Sequence, residues 1–548
     1  MSQTLQKGHP KGLYVLFFTE MWERFGYYLM VGIFLLFLID TEGKGMDTRT
    51  AIDIVGSYIA LVYLSPFIGG MIADRYIGYL KAIFIGGALM ALGYFGLSVP
   101  GDNWVMYLSL LSIIIGNGFF KLNISTLLGI MYSKDELKPK KDSAYSIFYM
   151  GINIGAFFCN FVAAYLRNKY GWGYAFAAAG VGMLIGLIIL ATWVKHVRDA
   201  NIKKPVSNED LPFSKIILYV FVPAIAAGII GWILPGTLFG TDSSDAFMAA
   251  CIPIITFYFS LWVRAKKEEK SSIAALLVVY AVALVFWVIY NQNSTAQTIW
   301  ANTYTDRSVS PGIEPFAQRI GMLQTTDVNP DDTIAVVDEH FVAQLDENGD
   351  VKTTVGVDPY FQNVPKSEWP AEGTKVKLIS PEIYQSVNPF FIIVFTGLII
   401  TLFSWLRKKG NEPTTPMKIG LGIFISGLSM LMMVFAANST DIYMDKTAAA
   451  WLISSYAVFT IGELCISPIG LSLISKISPP RLTALMMGGW FLITAIGGKL
   501  AGTLASSWDN YVDKRVFFLI MFVAATVVTA VVLFVIKWLN KIVKEHNA

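Results

Sequence analysis

Long apolar segments, separated by shorter polar ones, run along almost the whole chain of 548 residues. Each segment has about the 20 residues that an α-helix needs to cross the hydrocarbon core of a bilayer. Helices and closed barrels alone satisfy their backbone polar groups in lipid, so the pattern predicts an all-α polytopic membrane protein. The predicted spans are 13–40, 52–74, 79–99, 103–131, 143–167, 172–194, 213–235, 246–264, 273–294, 384–407, 416–437, 446–474, 479–507 and 511–540.

The composition supports this class and limits the chemistry. Only 15% of the residues are charged, whereas soluble domains contain about 25%. The three cysteines, which we expect to pack and not to bind metal, lie in apolar spans and are Cys159, Cys251 and Cys465. The four histidines lie outside the spans and are His9, His196, His340 and His546. A proton carried inside the membrane would therefore use carboxylates, and nothing in the spans indicates an enzyme, a metal or a cofactor beyond that proton.

Basic residues are concentrated in the connections on one side of the predicted membrane. Because Lys and Arg accumulate in cytoplasmic connections, both chain termini are expected to be cytoplasmic. The supporting residues are Lys7, Lys11, Arg75, Lys81, Lys134, Lys138, Lys140, Lys141, Lys195, Arg198, Lys203, Lys204, Arg264 to Lys270, Arg407 to Lys409, Arg481 and Lys537 to Lys544.

One connection on the opposite side is long and acidic. Residues 295–381 hold 13 Asp and Glu against 6 Lys and Arg, and we expect a small, partly β subdomain outside the membrane. Asn348-Gly349 stands between two apolar stretches, which is typical of a β-hairpin with a type I′ turn. Asp346, Asn348 and Asp350 alternate like calcium ligands, but the EF-hand pattern is incomplete, and a solvated turn is the preferred interpretation.

The first span contains charges where a bilayer disfavours them. Glu20, Glu23, Arg24 and Tyr27 follow the spacing i, i+3, i+4, i+7, so on a helix they share one face. Three unpaired charges at mid-membrane would cost roughly 7–10 kcal/mol, which partners or a water-filled cavity must offset. A carboxylate placed between burial and an arginine can gain and lose a proton, as proton coupling requires. A purely structural salt-bridge network is the alternative.

Two further charges lie in distant spans. Lys121 lies well inside span 103–131, and Glu463 lies inside span 446–474 with Ser467 one turn further on. Lys121 could snorkel toward a helix end, but each charge is expensive alone, which indicates a pair across a cavity. A pair that forms only when one face of the protein closes would act as a gate.

Several motifs resemble those of the proton-dependent oligopeptide transporters, a branch of the major facilitator superfamily. Glu20-x-x-Glu23-Arg24-Phe25-x-Tyr27-Tyr28 resembles the family motif ExxERFxYY. Other matching stretches are 69–78 (GGMIADRYIG), 148–157 (FYMGINIGAF), 385–389 (QSVNP) and 462–468 (GELCISP). The resemblance extends over the whole membrane part, and the insert 295–381 lies outside it.

The resemblance implies two six-helix bundles joined by two extra helices, for which spans 213–235 and 246–264 fit. The expected domains are an N-terminal bundle at 1–200, a linker at 201–271, a C-terminal bundle at 272–294 with 382–548, and the insert at 295–381. The substrate site of such a fold lies between the bundles at mid-membrane and opens alternately to each side. Asp74 and Arg75, between the second and third helices, are interpreted as a structural latch.

The resemblance also implies roles for individual residues. Proton coupling would use Glu20, Glu23, Arg24, Lys121 and Glu463. Arg24 and Lys121 suit a peptide carboxylate and Glu463 suits its ammonium, while aromatic side chains accept varied peptide side chains. For each aromatic, plain helix packing is the alternative. The expected substrate-binding set is Arg24, Tyr27, Tyr28, Tyr63, Lys121, Asn153, Trp287, Asn388, Glu463, Ser467 and Trp490.

The chain departs from the family at one linked pair of positions. Relatives commonly follow the two tyrosines with Gly-Met-Arg, where this chain has Leu29-Met30-Val31, and they often carry an acid where it has Asn291. Both members of an outer Arg–acid pair are missing, which leaves no orphan charge. We therefore expect an outer gate that relies more on apolar contacts and depends less on pH.

Together these observations predict a proton-coupled symporter that imports di- and tripeptides across a bacterial inner membrane by alternating access. A symporter of another small solute, such as an amino acid derivative, nitrate or a peptide-like metabolite, is the alternative, and the insert leaves a receptor or binding subunit open. The expected partners are peptides, protons and the lipid bilayer, with no nucleic acid. The oligomeric state is left open.

Overall fold

The computed structural model describes residues 8–202, 213–479 and 482–547. Lys7, Lys203, Lys204 and Arg481, which support the predicted orientation, lie outside these residues. In the described ranges, 13 helices are long and apolar enough to cross a membrane, and a shorter apolar helical segment covers 217–233. These segments coincide one by one with the predicted spans, which confirms the all-α membrane fold.

The N-terminal half is built from six helices. Asp47 begins the second helix as its N-cap, because its carboxylate accepts a hydrogen bond of 3.0 Å from the Thr50 amide. Two tight connections use glycine in the left-handed region, Gly78 at φ 81° and Gly171 at φ 92°. The helices are α1 (Lys11–Ile39), α2 (Thr48–Ile72), α3 (Tyr79–Ser98), α4 (Asn103–Met131), α5 (Lys141–Tyr170) and α6 (Trp172–Thr192).

A pair of linking helices follows, which we call the linker hairpin (213–263). Its first arm is α7 (Phe213–Ile216), continued by a π-helical turn into α8 (Val222–Ile233). Its second arm is α9 (Asp242–Val263), capped by the side chain of Thr241. The linker hairpin therefore occupies the place predicted for the two extra helices.

The beginning of the insert differs from the sequence-based expectation. The sequence places residues 295–303 outside the membrane part, but α10 (Lys267–Asn291) is followed by α11 (Ala296–Thr303), which is almost entirely buried. Trp300 packs on Trp508 and Phe518 at ring distances of 6.4 and 5.6 Å. This apolar contact holds the beginning of the insert against the helical bundle. The boundary of the insert at residue 295 stays a prediction.

The rest of the insert is a small, partly β subdomain, as predicted. It contains two antiparallel pairs, β2 with β5 and β3 with β4. Leu378 of β5 belongs to a small apolar cluster with Val328, Tyr360 and Phe361. The elements are β1 (Thr305–Asp306), α12 (Glu314–Arg319), β2 (Leu323–Thr326), β3 (Asp332–Ala335), β4 (Thr353–Gly356) and β5 (Val376–Ile379).

The hairpin predicted at Asn348-Gly349 is present, but its turn type is wrong. Leu345 bridges to Val351, so residues 346–350 form the loop. Gly349 has φ 86°, whereas Asn348 lies outside the left-handed region that a type I′ turn requires at both central positions. The Asp346 carboxylate closes the loop by accepting from the amides of Asn348 and Asp350 at 2.8 and 2.9 Å. These hydrogen bonds hold the pKa of Asp346 below its ordinary value.

The C-terminal half is completed by five helices after the insert. The short strand β6 precedes the third of them and pairs in parallel with β1, which attaches the insert to this half. The elements are α13 (Val387–Lys408), α14 (Thr415–Asn438), β6 (Thr447–Ala448), α15 (Ala449–Ile477), α16 (Thr483–Ser506) and α17 (Lys514–Asn547).

The two halves meet mainly where α2 packs on α16 and α5 packs on α13. The α2–α16 contact is made backbone to backbone, since a Cβ on Gly56 would lie 2.8 Å from the Gly502 Cα. We call the end of the bundle where α1 begins and α17 ends the terminal end, and the end that holds the insert the insert end. The halves are in contact at the insert end, whereas toward the terminal end a cavity separates α4 and α5 from α13 and α15. On the opposite side α2 and α16 stay in contact, since Phe67 packs on Gly488.

Candidate functional site

A cavity of about 920 Å³ lies between the two halves. Its lining extends from mid-bundle to Tyr145 and Ser146 at the start of α5 and to Arg407, Glu412 and Lys418 around the α13–α14 connection. All of these positions are at the terminal end, so the cavity opens there. The residues predicted to bind substrate all line it: Arg24, Tyr27, Tyr28, Tyr63, Lys121, Asn153, Trp287, Asn388, Glu463, Ser467 and Trp490.

The charged face of α1 forms one wall of the cavity. Glu20 and Arg24 line it, as the helical spacing predicts, but Glu23 is fully buried and is not part of the lining. The Arg24 Nε donates to the Glu20 Oε1 at 3.0 Å and lies 2.5 Å from the Glu23 Oε2. One guanidinium thus contacts two carboxylates, so the α1 face taken by itself has one acidic group more than it has cations.

Lys121 on α4 is the second cation of this wall. Its Nζ lies 3.9 Å from the ring centroid of Tyr63 and 6.0 Å from that of Tyr27. A cation held over aromatic faces is stabilised electrostatically even where solvent is scarce. The lysine is therefore accommodated at this depth by α1 and α2, with its charge available to the cavity.

Glu463 faces the cavity from α15 in the opposite half. Its Oε2 accepts a hydrogen bond of 2.9 Å from Asn388, which also donates to the Thr460 hydroxyl at 3.0 Å. Among the residues that the structure describes, no ion pair joins Glu463 to Lys121. The predicted gate pair is thus unformed while the terminal end is open, and its formation on closure stays a prediction.

Aromatic side chains join the two walls of the cavity. Trp287 of α10 lies 6.3 Å from Tyr63 of α2 and 6.0 Å from Trp490 of α16, measured between ring centroids. These rings line the cavity at the depth of the charged groups, since Tyr63 also contacts Lys121. Three lining residues were missed although a signal existed: Tyr149 and Gln385 lie inside the matched motifs, and Tyr290 follows Trp287 by one turn.

An ion pair closes the insert end, and the sequence analysis missed it. The Lys499 Nζ of α16 lies 2.7 Å from the Asp53 Oδ1 of α2, and the two side chains are only 1% and 14% exposed. The available signal was a lysine inside the apolar span 479–507, whose cost at that depth requires a partner. Because α2 and α16 belong to different halves, this pair holds the halves together.

Further polar contacts join the halves at this end. Arg167 of α5 pairs with the buried Glu382 at 3.1 Å, and Asn160 donates to the Ser386 hydroxyl at 3.0 Å. Val31 lines the cavity, and the Asn291 amide donates to the Trp287 carbonyl of its own helix at 2.7 Å. Polar contacts therefore join the halves at the insert end although both members of the pair are missing at Val31 and Asn291. The expected lower dependence of this gate on pH stays a prediction.

At the terminal end, unlike at the insert end, the ion-paired side chains around Glu412 all belong to one half. Glu412 pairs with Arg407 at 2.5 Å and with Lys418 at 2.6 Å, and all three belong to the C-terminal half. Hydrogen bonds from the two cations lower the pKa of Glu412 to about 2. Asp74 and Arg75 lie in the π-helical turn Ala73–Ile77 between α2 and α3, and their latch role stays a prediction.

Two helical bundles around a central cavity that is open at one end and closed at the other define a multi-pass membrane transporter of the alternating-access class. The model of the POT family matches residues 80–323 and 374–518. The chain belongs to the POT family.

Proteins of similar sequence, some of them with solved structures, cover nearly the same length. An uncharacterized transporter of Bacillus subtilis, YclF, is 31% identical over 93% of this chain and 90% of its own. The dipeptide and tripeptide permease A of Citrobacter koseri is 30% identical over 98% and 95%. A crystal structure of a peptide transporter POT in complex with alafosfalin superimposes with a TM-score of 0.73 at 29% identity, covering 98% of this chain and 96% of the other.

Proposed function

We propose that this protein is a proton-coupled symporter that imports di- and tripeptides through the bacterial inner membrane by alternating access. The observation that carries the proposal is the charge layout of the cavity: Arg24 and Lys121 on the N-terminal wall face Glu463 on the C-terminal wall. The full-length similarity to a dipeptide and tripeptide permease supports the same substrate class.

A short peptide is a dipole with a carboxylate at one end and an ammonium at the other. The carboxylate fits between Arg24 and Lys121, and Arg24 can bind it bidentately. The ammonium fits Glu463, which Asn388 already orients through a 2.9 Å hydrogen bond. The rings of Trp287 and Trp490 offer dispersion contacts to side chains of different shape. The cavity thus selects the ends of the substrate more strictly than its side chains.

Proton coupling follows from competition for Arg24. With both Glu20 and Glu23 ionised, the guanidinium is held by two carboxylates within 3.0 Å. Protonation of one carboxyl frees part of the guanidinium for the peptide carboxylate, so proton and substrate binding favour each other. Closure of the terminal end would bring Glu463 to Lys121, and a bound peptide or proton would weaken that pair and allow the next opening.

In this scheme the described conformation faces the cytoplasm. The basic connections support a cytoplasmic position of both termini, and therefore of the terminal end. The polar contacts at the insert end form the closed outer gate. The proposed domains are 1–200, 201–271, 272–294 with 382–548, and 295–381, with α11 assigned to the membrane part. We also propose that the protein transports its substrate without enzymatic activity and without a cofactor other than the proton.

The test is uptake of a labelled dipeptide by proteoliposomes under an imposed pH gradient. Glu20→Gln, Glu23→Gln and Lys121→Ala are each expected to abolish accumulation, because each removes a member of the coupled charge set. Glu372→Gln, an exposed acid of the insert, is the matched control and should accumulate peptide like the unchanged protein. Full gradient-driven accumulation in all three cavity variants would refute the coupling scheme.

Competition identifies the substrate class in the same assay. Unlabelled di- and tripeptides should compete, whereas N-acetylated or C-amidated dipeptides should compete weakly because one end of the dipole is missing. Nitrate and single amino acid derivatives are the second group of competitors. Strong competition by nitrate or amino acid derivatives, with none by peptides, would replace the peptide proposal with the small-solute alternative.

A further inference from the structure

The first turn of α9 lies on the seam between the two halves, directly at the Asp53–Lys499 pair. The Thr241 hydroxyl donates to the Asp53 Oδ1 at 2.9 Å, and the Ser243 hydroxyl donates to the Asp53 Oδ2. Ser243 also accepts a hydrogen bond of 2.7 Å from the Lys499 Nζ. The linker hairpin therefore supplies polar partners to both ions of the gate pair.

Two further contacts fix this turn to both halves. The Arg49 guanidinium of α2 donates to the Gly240 carbonyl, just before α9. The Ser244 hydroxyl lies 3.0 Å from the Thr503 hydroxyl of α16. Because the turn bonds to α2 and to α16 together, opening of the insert end breaks hydrogen bonds whichever half the turn follows.

The geometry also shows why the ion pair needs this third partner. Asp53 and Lys499 are nearly excluded from solvent, and a buried ion pair is favourable only when its remaining lone pairs and protons are hydrogen-bonded. Lys499 has Asp53, Ser57 at 2.8 Å and Ser243 as its three acceptors, which satisfies the ammonium completely. The second oxygen of Asp53 has Ser243 as its donor.

We propose that Thr241 and Ser243 are positioning residues of the outer gate: they hold Asp53 and Lys499 in their paired geometry and so let the linker hairpin set the population of the state that is closed at the insert end. The inference rests on the proposed alternating access and goes beyond it, because it gives the linker hairpin a part in the transport cycle. Ser243 bridges both ions, whereas Thr241 is also the helix cap, so Ser243 gives the cleaner test.

The experiment measures the distance between spin labels on Asn103→Cys, at the start of α4, and Val512→Cys, between α16 and α17. Both positions are exposed at the insert end, one in each half. The native cysteines are replaced by alanine, and the protein is in nanodiscs without substrate. The ratio of long to short distances reports the opening of the insert end and does not depend on peptide uptake.

Ser243→Ala is expected to raise the open fraction by at least about ten-fold, because it removes two hydrogen bonds to charged groups. Ser243→Thr, which keeps the hydroxyl, should restore the original ratio. Ser260→Ala on the same helix is the matched control, since its hydroxyl bonds only within α9, to the Phe257 carbonyl at 2.7 Å. Asp53→Asn is the reference for a broken gate.

The inference predicts that Ser243→Ala has a much smaller effect in the Asp53→Asn background, where only its hydrogen bond from Lys499 remains. It is overturned by an unchanged ratio in Ser243→Ala, by an equal shift in Ser260→Ala, or by a full additional shift on top of Asp53→Asn. An unchanged ratio in Asp53→Asn itself would overturn the outer gate and the inference together. Failure of peptide uptake in proteoliposomes, with the expected distance shifts, would instead refute only the proposed substrate.

Discussion

At the insert end Asp53 and Lys499 belong to different halves, whereas at the terminal end Glu412, Arg407 and Lys418 all belong to one half. The distances are alike, between 2.5 and 2.7 Å, but the consequences differ. A pair within one half stays intact when the halves move as rigid bodies, so it contributes equally to every state. A pair between halves exists in one state only, and its free energy sets how often that state is left.

The largest effect should come from breaking the pair that joins the halves. Lys499→Ala leaves the Asp53 carboxylate buried without a cation, which typically costs about 3–5 kcal/mol. Because the hydroxyls of Thr241 and Ser243 remain, we expect the low end of this range, a shift of roughly 100-fold toward opening of the insert end. Spin-label distances across the insert end measure it.

The double variant Asp53→Ser with Lys499→Ala is the control for this prediction. It removes both charges, so the shift should be smaller than that of Lys499→Ala alone. If Lys499→Ala had the same ratio of long to short spin-label distances as the unchanged protein, the pair would not hold the halves together.

A smaller effect of opposite sign should follow from adding a second pair between the halves. Val31→Arg with Asn291→Asp places a guanidinium on α1 and a carboxylate on α10, two positions that both line the cavity. A partly solvated pair of this kind should stabilise the closed insert end by roughly 1 kcal/mol, about a five-fold change in population. Because the added acid titrates, uptake should also become more dependent on pH.

Val31→Arg alone is the control here, since it adds a cation without a partner. If the double variant had the same population of the closed insert end and the same pH profile of uptake as the unchanged protein, the two added side chains would not form a pair.

The smallest effect is expected at the terminal end. Glu412→Gln removes an ion pair confined to one half, so the ratio of states should change less than two-fold. Its contribution to the stability of the fold should depend on pH with a definite sign. The pKa of Glu412 is lowered from 4.5 to about 2, so the contribution is full above pH 4.5 and is lost as pH falls toward 2.

The melting temperatures of the unchanged protein and Glu412→Gln should therefore differ by a constant amount between pH 5 and 8 and converge below pH 4. Glu545→Gln is the matched control, because its contact with Lys541 is exposed and 3.9 Å long. A difference that varies between pH 5 and 8 would contradict the assigned pKa.

The spans and the charged face of α1 could be read directly from the chain. Insertion of a helix into lipid depends on the summed transfer free energy of about 20 consecutive residues, so it can be predicted from a local stretch of sequence. Glu20 and Arg24 are four residues apart, and helical geometry alone brings them to 3.0 Å. The same reasoning placed Lys121 and Glu463 inside spans and required a cavity or partners for them.

Where each charge finds its partner was decided by the tertiary structure. Lys499 meets Asp53 across 446 positions of the chain, and no spacing rule connects them. Lys121 lies over Tyr63 and not beside Glu463, because the cavity separates α4 from α15. Residues 296–301 were expected to lie in the polar insert, yet they are buried in a segment where Trp300 packs on Trp508.

The sequence by itself therefore determined that the chain crosses the membrane many times and that its first helix presents charge to the interior. The tertiary structure decided which end of the cavity is closed and which residues close it. The physical reason is that membrane insertion is a large local free energy, whereas the choice between two packings of the same halves is a small difference between distant contacts.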